Sequence, residues 1–316
     1  YIAVAIGLST GCMIVFSQLF GARNIPRMKT AMFTALITLS VLSLIALAVG
    51  LLSADGVLQA MNVKDILYDD AKTYYVIYAI GFPALFIYNI ANSTFNSLGK
   101  SRITLWLLAG SSVLNVVLDL WFVVGLKMGV AGAAIATDIS QYLVAVVAVI
   151  WLLIHLKKHY PTEEKVGIYE FRLLGNMLKV AIPTMLAQVV VSVGYAVLMA
   201  LVNTFSVDIV SGYVAAYRLD ALCSIPMVQF GNAMATFTGQ NVGAKQFDRV
   251  PQGIKAAAIM CGIVWVLFVI LVQLFGHQMI GWFMEEGVNE AAYTAGVQYM
   301  QIMSYVYIML GLMYIY

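Results

Sequence analysis

Apolar positions along the chain fall in long unbroken stretches, with polar residues gathered in short intervals between them. Charge-free runs cover 30–54, 73–99, 180–207, 221–244 and 291–316, with a shorter one at 256–276. A membrane-crossing helix needs about 20 predominantly apolar residues, so each run reads as a span. Single carboxylates interrupt two further runs, Asp119 within 103–126 and Asp138 within 128–156, and leave the apolar stretch around them intact. The pattern predicts nine helices, at about 1–20, 30–54, 73–98, 103–125, 129–156, 174–203, 209–238, 252–276 and 291–316. Continuous runs, rather than alternation with period two, speak against a β-barrel. The expected fold class is an all-α polytopic membrane protein.

Composition agrees, since apolar residues make up 62% of 316 positions and charged ones 10%, against roughly 25% in a soluble domain. Cys12, Cys223 and Cys261 lie in apolar segments at no metal-ligand spacing and read as small core or lipid-facing side chains. His155, His159 and His277 stand near span ends, and no phosphate-binding GxxxxGK[ST] motif is present, so neither a soluble-enzyme site nor ATP hydrolysis is expected. Pro83 and Pro183 fall in predicted helix interiors, where they would produce bends.

Charge sorts by loop parity. The odd-numbered connections, with Lys179 and Lys255 beside them, hold 13 of the 17 Lys and Arg residues. The even-numbered ones hold Lys64, Lys72 and Lys127 against Asp55, Asp65, Asp69, Asp70, Asp208, Glu285, Glu286 and Glu290. By the positive-inside rule the odd loops are cytoplasmic, including the longest, 157–172. The net charge of +2 therefore reflects topology and membrane lipid, not a nucleic-acid partner.

Two of those loops repeat each other. "SQLFGARNIPR" follows the first helix and "TGQNVGAKQFDR" the seventh: Gln18, Gly21, Ala22 and Arg27 recur as Gln240, Gly243, Ala244 and Arg249, with Arg23 answered by Lys245. The repeat unit is thus six helices, and an even number keeps both copies in the same orientation, related by an axis along the membrane normal. Two complete six-helix bundles require twelve helices, one before Tyr1 and two after Tyr316. The expected organisation is a first bundle at 1–156, a cytoplasmic linker at 157–172 and a second bundle at 173–316.

Ionisable groups inside spans cost about 2.5–3.5 kcal/mol on insertion scales and therefore mark candidate sites. Asp119 stands four residues after Asn115, on one helical face. The preceding span carries Asn89 and Asn92, and the following one Thr137, Asp138 and Gln141. Converging, these stripes would form a polar pocket with one buried carboxylate. Its oxygen donors suit a hard cation such as Na⁺ at Asp119, Asn115 and Thr137, and the same carboxylate could instead hold a proton. Asp138 and, in the second bundle, Asp220 are possible additional cation ligands; Arg218 is two residues from Asp220 and does not face it.

The segments "SQLFGARN", "NSLGKSR", "NVVLDLWFVVGLKMGVAGAAIAT", "VAIPTMLAQ" and "FTGQNVGAK" resemble the multidrug and toxic compound extrusion (MATE) family, bacterial DinF/MepA-like type, along essentially the whole chain. The resemblance implies a twelve-helix secondary antiporter, opening alternately to each side and exporting amphipathic or cationic drug-like compounds in exchange for H⁺ or Na⁺, without a cofactor. It implies a monomer in the bacterial inner (cytoplasmic) membrane. In DinF-type relatives a cation site uses a first-helix Asp, which would precede Tyr1, and positions matching Asn115, Asp119, Asn89, Asn92 and Thr137. Acidic residues that some relatives carry in the seventh and tenth helices are absent from 174–203 and 291–316. The nearest alternative is a lipid-linked or polysaccharide flippase of the same superfamily. An intramembrane enzyme or receptor would require acid or His clusters at helix ends, or a folded extramembrane domain.

Overall fold

The computed structural model describes residues 2–60, 65–284 and 289–316; Lys64, Glu285 and Glu286, used above to sort loop charge, lie outside them. The described chain is helical: α1 (Ile2–Gly21), α2 (Ile25–Ala60), α3 (Asp65–Ile80), α4 (Phe82–Ser97), α5 (Ser101–Asp119) with a π-helical extension at Leu120–Gly125, α6 (Gly129–His159), α7 (Phe171–Val202), α8 (Val207–Gly243), α9 (Arg249–Gly281) and α10 (Glu290–Ile315). Six of these helices are long and apolar enough to cross a bilayer, and the bent pair α3–α4 adds a seventh. The nine predicted spans are thus all helical, but α8 and α10 have the length with a more polar makeup, including Asp208, Arg218 and Asp220 on α8.

The third predicted span is not one helix. It breaks at Gly81, where α3 and α4 meet at 44°. Pro83 therefore sits in the first turn of α4 and not in a helix interior, a place where its missing N–H leaves no gap. Pro183, by contrast, stands inside α7 as expected.

The sequence repeat is a structural repeat. After α1, the N–H groups of Ala22, Arg23 and Asn24 bond the carbonyls of Gln18, Phe20 and Leu19 at 2.9, 2.9 and 3.0 Å. After α8, Ala244, Lys245 and Gln246 bond Gln240, Val242 and Asn241 at 3.0, 3.0 and 2.8 Å. Both turns end the helix with its last carbonyls capped by the chain that follows. Arg23 and Lys245 take the left-handed conformation at φ 57° and 58°, so the two basic side chains leave their turns in the same way.

Packing falls into two compact units, Tyr1–Gln188 and Val189–Tyr316. The first is built around Phe16, Met28, Met32, Phe86, Ile90 and Phe95. The first half of α7 belongs to it. Gly7 and Gly11 of α1 lie against the backbone of Met185 and Ala181, four residues apart on both helices, so closely that a β-carbon at either glycine would overlap the opposing main chain. Small residues at this spacing let two helices touch backbone to backbone, which is how helices associate where lipid offers no hydrophobic gradient. The segment before α7 is also tied down: Thr30 Oγ1 accepts from Gly167 N at 2.9 Å, Thr34 Oγ1 from Glu170 N at 3.0 Å, and Lys29 Nζ donates to Tyr160 O at 2.7 Å. Replacing Thr30 and Thr34 together by Val strands two backbone donors, at about 1 kcal/mol each. Thermal unfolding of the purified variant should show a lowered midpoint, with the helix content unchanged.

In the second unit α8, α9 and α10 pack on one another around Leu219, Cys223, Ile280, Met300 and Tyr307, with a satellite of Met227, Met234, Cys261 and Ile315. All three cysteines are buried. At the other end of the first unit, Lys72 and Tyr68 of α3 bond Asp55 of α2 at 2.6 and 2.8 Å. Helix α2 has 36 residues, about 54 Å at 1.5 Å per residue, against a hydrocarbon core of about 30 Å, so its ends extend beyond the apolar layer.

Candidate functional site

Two neighbouring helices supply the polar group expected around Asp119. Asn115, on α5, donates from Nδ2 to Thr137 Oγ1 of α6 at 3.4 Å, and Thr137 in turn donates to Ala133 O at 3.0 Å. Asp119 ends α5, one turn beyond Asn115, and its half-buried side chain holds Oδ1 away from solvent with no hydrogen-bond partner among the described residues. Directly after it the chain runs as a π-helix through Gly125, with Leu126 N bonded to Trp121 O at 2.9 Å. Such wide turns interrupt the regular pattern of backbone bonds and are frequent at functional sites.

Asn89 and Asn92 occupy the adjoining α4 but are engaged elsewhere. Asn89 Nδ2 donates to Leu85 O within its own helix at 2.8 Å. Asn92 Oδ1 accepts from Asn96 at 3.4 Å, and Asn96 Oδ1 accepts from Thr104 of α5 at 3.4 Å. The structure brings Asn115 and Thr137 into contact, with Asp119 on the same face; no described hydrogen bond joins Asn89 or Asn92 to them.

Asp138 follows Thr137 but turns away from it, as consecutive helical residues stand about 100° apart. It faces the break at Gly81. In the second unit Asp220, 5% exposed, accepts at Oδ1 from Tyr307 of α10 at 2.6 Å. Tyr213 and Tyr299 meet edge to face near it, with ring centroids 5.1 Å apart. Arg218 lies on the exposed side of α8. Among the described residues no three His, Cys, Asp or Glu side chains converge. What the chain offers is single carboxylates beside neutral oxygens, donors of the hard type.

The family model MatE matches residues 1–121 and 183–316. The chain belongs to the MatE family. Among curated MatE-like relatives, the probable multidrug resistance proteins YoeA and YpnP of Bacillus subtilis are 25% and 27% identical to it, over 93% and 98% of this chain. The alignments cover 64% and 68% of those relatives, so the chain spans about two thirds of their length. A protein of Shewanella oneidensis named as an FAD transporter is 25% identical over 80% of this chain and 56% of its own. A solved structure of a multidrug resistance MATE family transporter in an outward-facing conformation matches with a TM-score of 0.89, at 21% identity over 98% of this chain and 69% of that one. A MOP superfamily transporter from Pyrococcus furiosus, described as having a binding pocket of reverse polarity, matches at 0.84 and 20% identity, over 98% of this chain and 72% of that one. These likenesses establish that the MatE chain has the transporter fold.

Sequence reasoning missed three members of these polar groups. Asn96 stands four residues after Asn92 and could have been read from spacing. Tyr307 of α10, the donor to Asp220, and Tyr142 of α6, which donates to Ile80 O at 2.7 Å, gave no signal among the 18 tyrosines of the chain. Tyr307→Phe leaves the buried Asp220 oxygen without its donor, at about 1–3 kcal/mol. The variant's thermal midpoint should fall, whereas Tyr305→Phe, at an exposed position, should leave it in place.

Proposed function

We propose that the protein is a secondary antiporter that exports amphipathic or cationic drug-like compounds in exchange for H⁺ or Na⁺. Membership of the MatE family and relatives named as probable multidrug resistance proteins support the transport reading. The observation that carries the coupling is the Asp119 carboxylate, with one oxygen buried and unpartnered beside the Asn115–Thr137 pair. A carboxylate so placed favours whichever state of the transporter supplies its cation. Asp119 is the coupling group, Asn115 and Thr137 contribute neutral oxygens beside it, and Asn89 and Asn92 belong to the adjoining helix. Asp220, held by Tyr307, is a further candidate in the second bundle.

In this reading the complete protein has two six-helix bundles joined through the 157–172 linker. It works as a monomer in the bacterial cytoplasmic membrane, with the linker on the cytoplasmic side. A ligand shifts a two-state equilibrium only by its difference in affinity between the states, so the bound cation must favour one access state over the other. The test is efflux of ethidium from proteoliposomes holding the full-length protein, driven by a proton gradient alone and a sodium gradient alone. Transport under one gradient supports antiport and names the ion. Absence of transport under both, across several cationic dyes, would favour the flippase of the same superfamily.

A further inference from the structure

The basic side chains at one end of the first unit are of two kinds. Arg27 pairs with Glu170 at 3.2 Å and Lys29 donates to Tyr160 O at 2.7 Å, so both serve the fold. Lys100 and Arg102, in the turn that opens α5, and Lys157 and Lys158, at the end of α6, are exposed, and no described hydrogen bond or ion pair engages their charged heads. No Asp or Glu occurs within 96–110 or 145–162, so nothing in these segments neutralises them. The two segments meet. His155 of α6 stands edge-on to Phe95 of α4 with ring centroids 6.0 Å apart, lies 4.4 Å from His159, and feels the charge of Lys100. Like charges gathered without a counter-charge repel one another, so the cluster favours an anion among them.

Below these charges, on the same helical faces, the side chains are aromatic and aliphatic. Arg102 stands four residues before Trp106 on α5, and Lys158 follows Ile154 by four residues and Trp151 by seven on α6. At about 100° per residue, these spacings set each cation in line with an apolar side chain. Trp106 is 70% exposed, and Ile154 and Trp151 are exposed as well. This is not the face of the candidate ion group, since Trp106 and Asn115 are nine residues apart, about half a turn around α5. Helices α5 and α6 pack on each other, so the two columns of cation over tryptophan stand on neighbouring helices. Basic heads at the membrane surface, above an apolar column that descends into hydrocarbon, match a phospholipid with its phosphate above and its acyl chains below.

We propose that this end of α5 and α6 binds an anionic phospholipid of the phosphatidylglycerol kind, its phosphate held by Lys100, Arg102 and Lys158 and its chains lying along Trp106, Trp151 and Ile154. A zwitterionic lipid brings the same phosphate together with a cation of its own, which the basic side chains repel, so the site selects for net negative charge. The proposal concerns lipid binding and stands whether or not the protein exports drugs.

The test is native mass spectrometry of the full-length protein in mild detergent, titrated with phosphatidylglycerol or with phosphatidylcholine carrying the same chains. Wild type should hold phosphatidylglycerol at least about tenfold more tightly than phosphatidylcholine. Each Lys or Arg near a membrane surface contributes about fivefold to anionic-lipid binding. Replacing three at once, Lys100→Gln, Arg102→Gln and Lys158→Gln, should therefore weaken phosphatidylglycerol binding by about a hundredfold and remove the preference. Arg23→Gln with Lys245→Gln, in the repeated turns, should keep it. Equal affinity for the two lipids in wild type would overturn the proposal, and that comparison depends on no variant that must fold. So would a preference that survives the triple variant, or one that the Arg23 and Lys245 changes abolish as well, because the selectivity would then come from charge elsewhere.

Discussion

Replacing Asp119 by Asn should lower gradient-driven efflux by at least about tenfold while the protein still folds into the membrane, the equivalent of about 1.4 kcal/mol of lost coupling. Asn matches Asp in shape and keeps an oxygen in place, but carries no charge and takes up no proton. The buried Oδ1 has no hydrogen bond to lose, so the fold should tolerate the exchange. Asn115→Leu and Thr137→Val each remove one neutral oxygen from the pair joined at 3.4 Å and should weaken ion dependence by a smaller factor. Dye efflux at matched expression, measured across a series of ion gradients, separates these cases. A variant that shifts the ion concentration for half-maximal transport has lost affinity. One that transports at no concentration has lost the coupling group.

The second large effect concerns the fold. Gly11→Leu should prevent accumulation of folded protein, because a β-carbon at Gly11 already overlaps the backbone of Ala181 and the rest of the side chain has nowhere to go. Overpacking a close-packed contact costs about 1–3 kcal/mol where neighbours can shift, and more where the obstacle is main chain, as here. Gly7→Leu meets Met185 one turn further on and should behave alike. Gly56→Leu provides the control, since among the described residues nothing lies within 4 Å of its β-carbon position. Size-exclusion profiles in mild detergent should show a monodisperse peak for Gly56→Leu and aggregate or no protein for Gly11→Leu.

Much of this architecture can be read from the amino acids alone, because a bilayer demands long apolar helices and every such helix leaves a run free of charge. The paired turns were legible for a similar reason. A helix that must end sharply needs its last carbonyls capped, and Gln18 to Arg27 and Gln240 to Arg249 carry the same solution, down to a basic residue at positive φ. The bend near Gly81 was legible in part, because Pro83 two residues on marks an interruption of the helix, but a full break with a second helix start was not. What nothing within 73–98 announces is the contact across the unit, where Asp138 occupies the space a side chain on Gly81 would fill.

The candidate site divides in the same manner. Asn115 and Asp119 are one turn apart, so a shared face followed from spacing, and Thr137 had to come from a neighbouring helix. Asn89 and Asn92 have suitable spacing as well, yet Asn89 spends its amide on the Leu85 carbonyl and Asn92 pairs with Asn96. Spacing fixes which residues share a face; it does not fix whether an Asn turns inward to a neighbour or back to its own helix. Asp138 shows the complement, since its position beside Thr137 suggested a common pocket and the helical turn sends it toward Gly81 instead. Asp220 needed Tyr307, which is 87 residues away in sequence, and no local pattern could have named it.

The claim that drug export is coupled to a cation held at Asp119 is tested most directly by running the exchange in reverse. Proteoliposomes with full-length protein are given an ethidium gradient and no ion gradient, and the opposing flux of H⁺ or Na⁺ is recorded with a pH dye and with radioactive sodium. The account predicts that wild type moves one of the two ions against the dye and that Asp119→Asn moves neither. An ion flux of wild-type size in Asp119→Asn would contradict it.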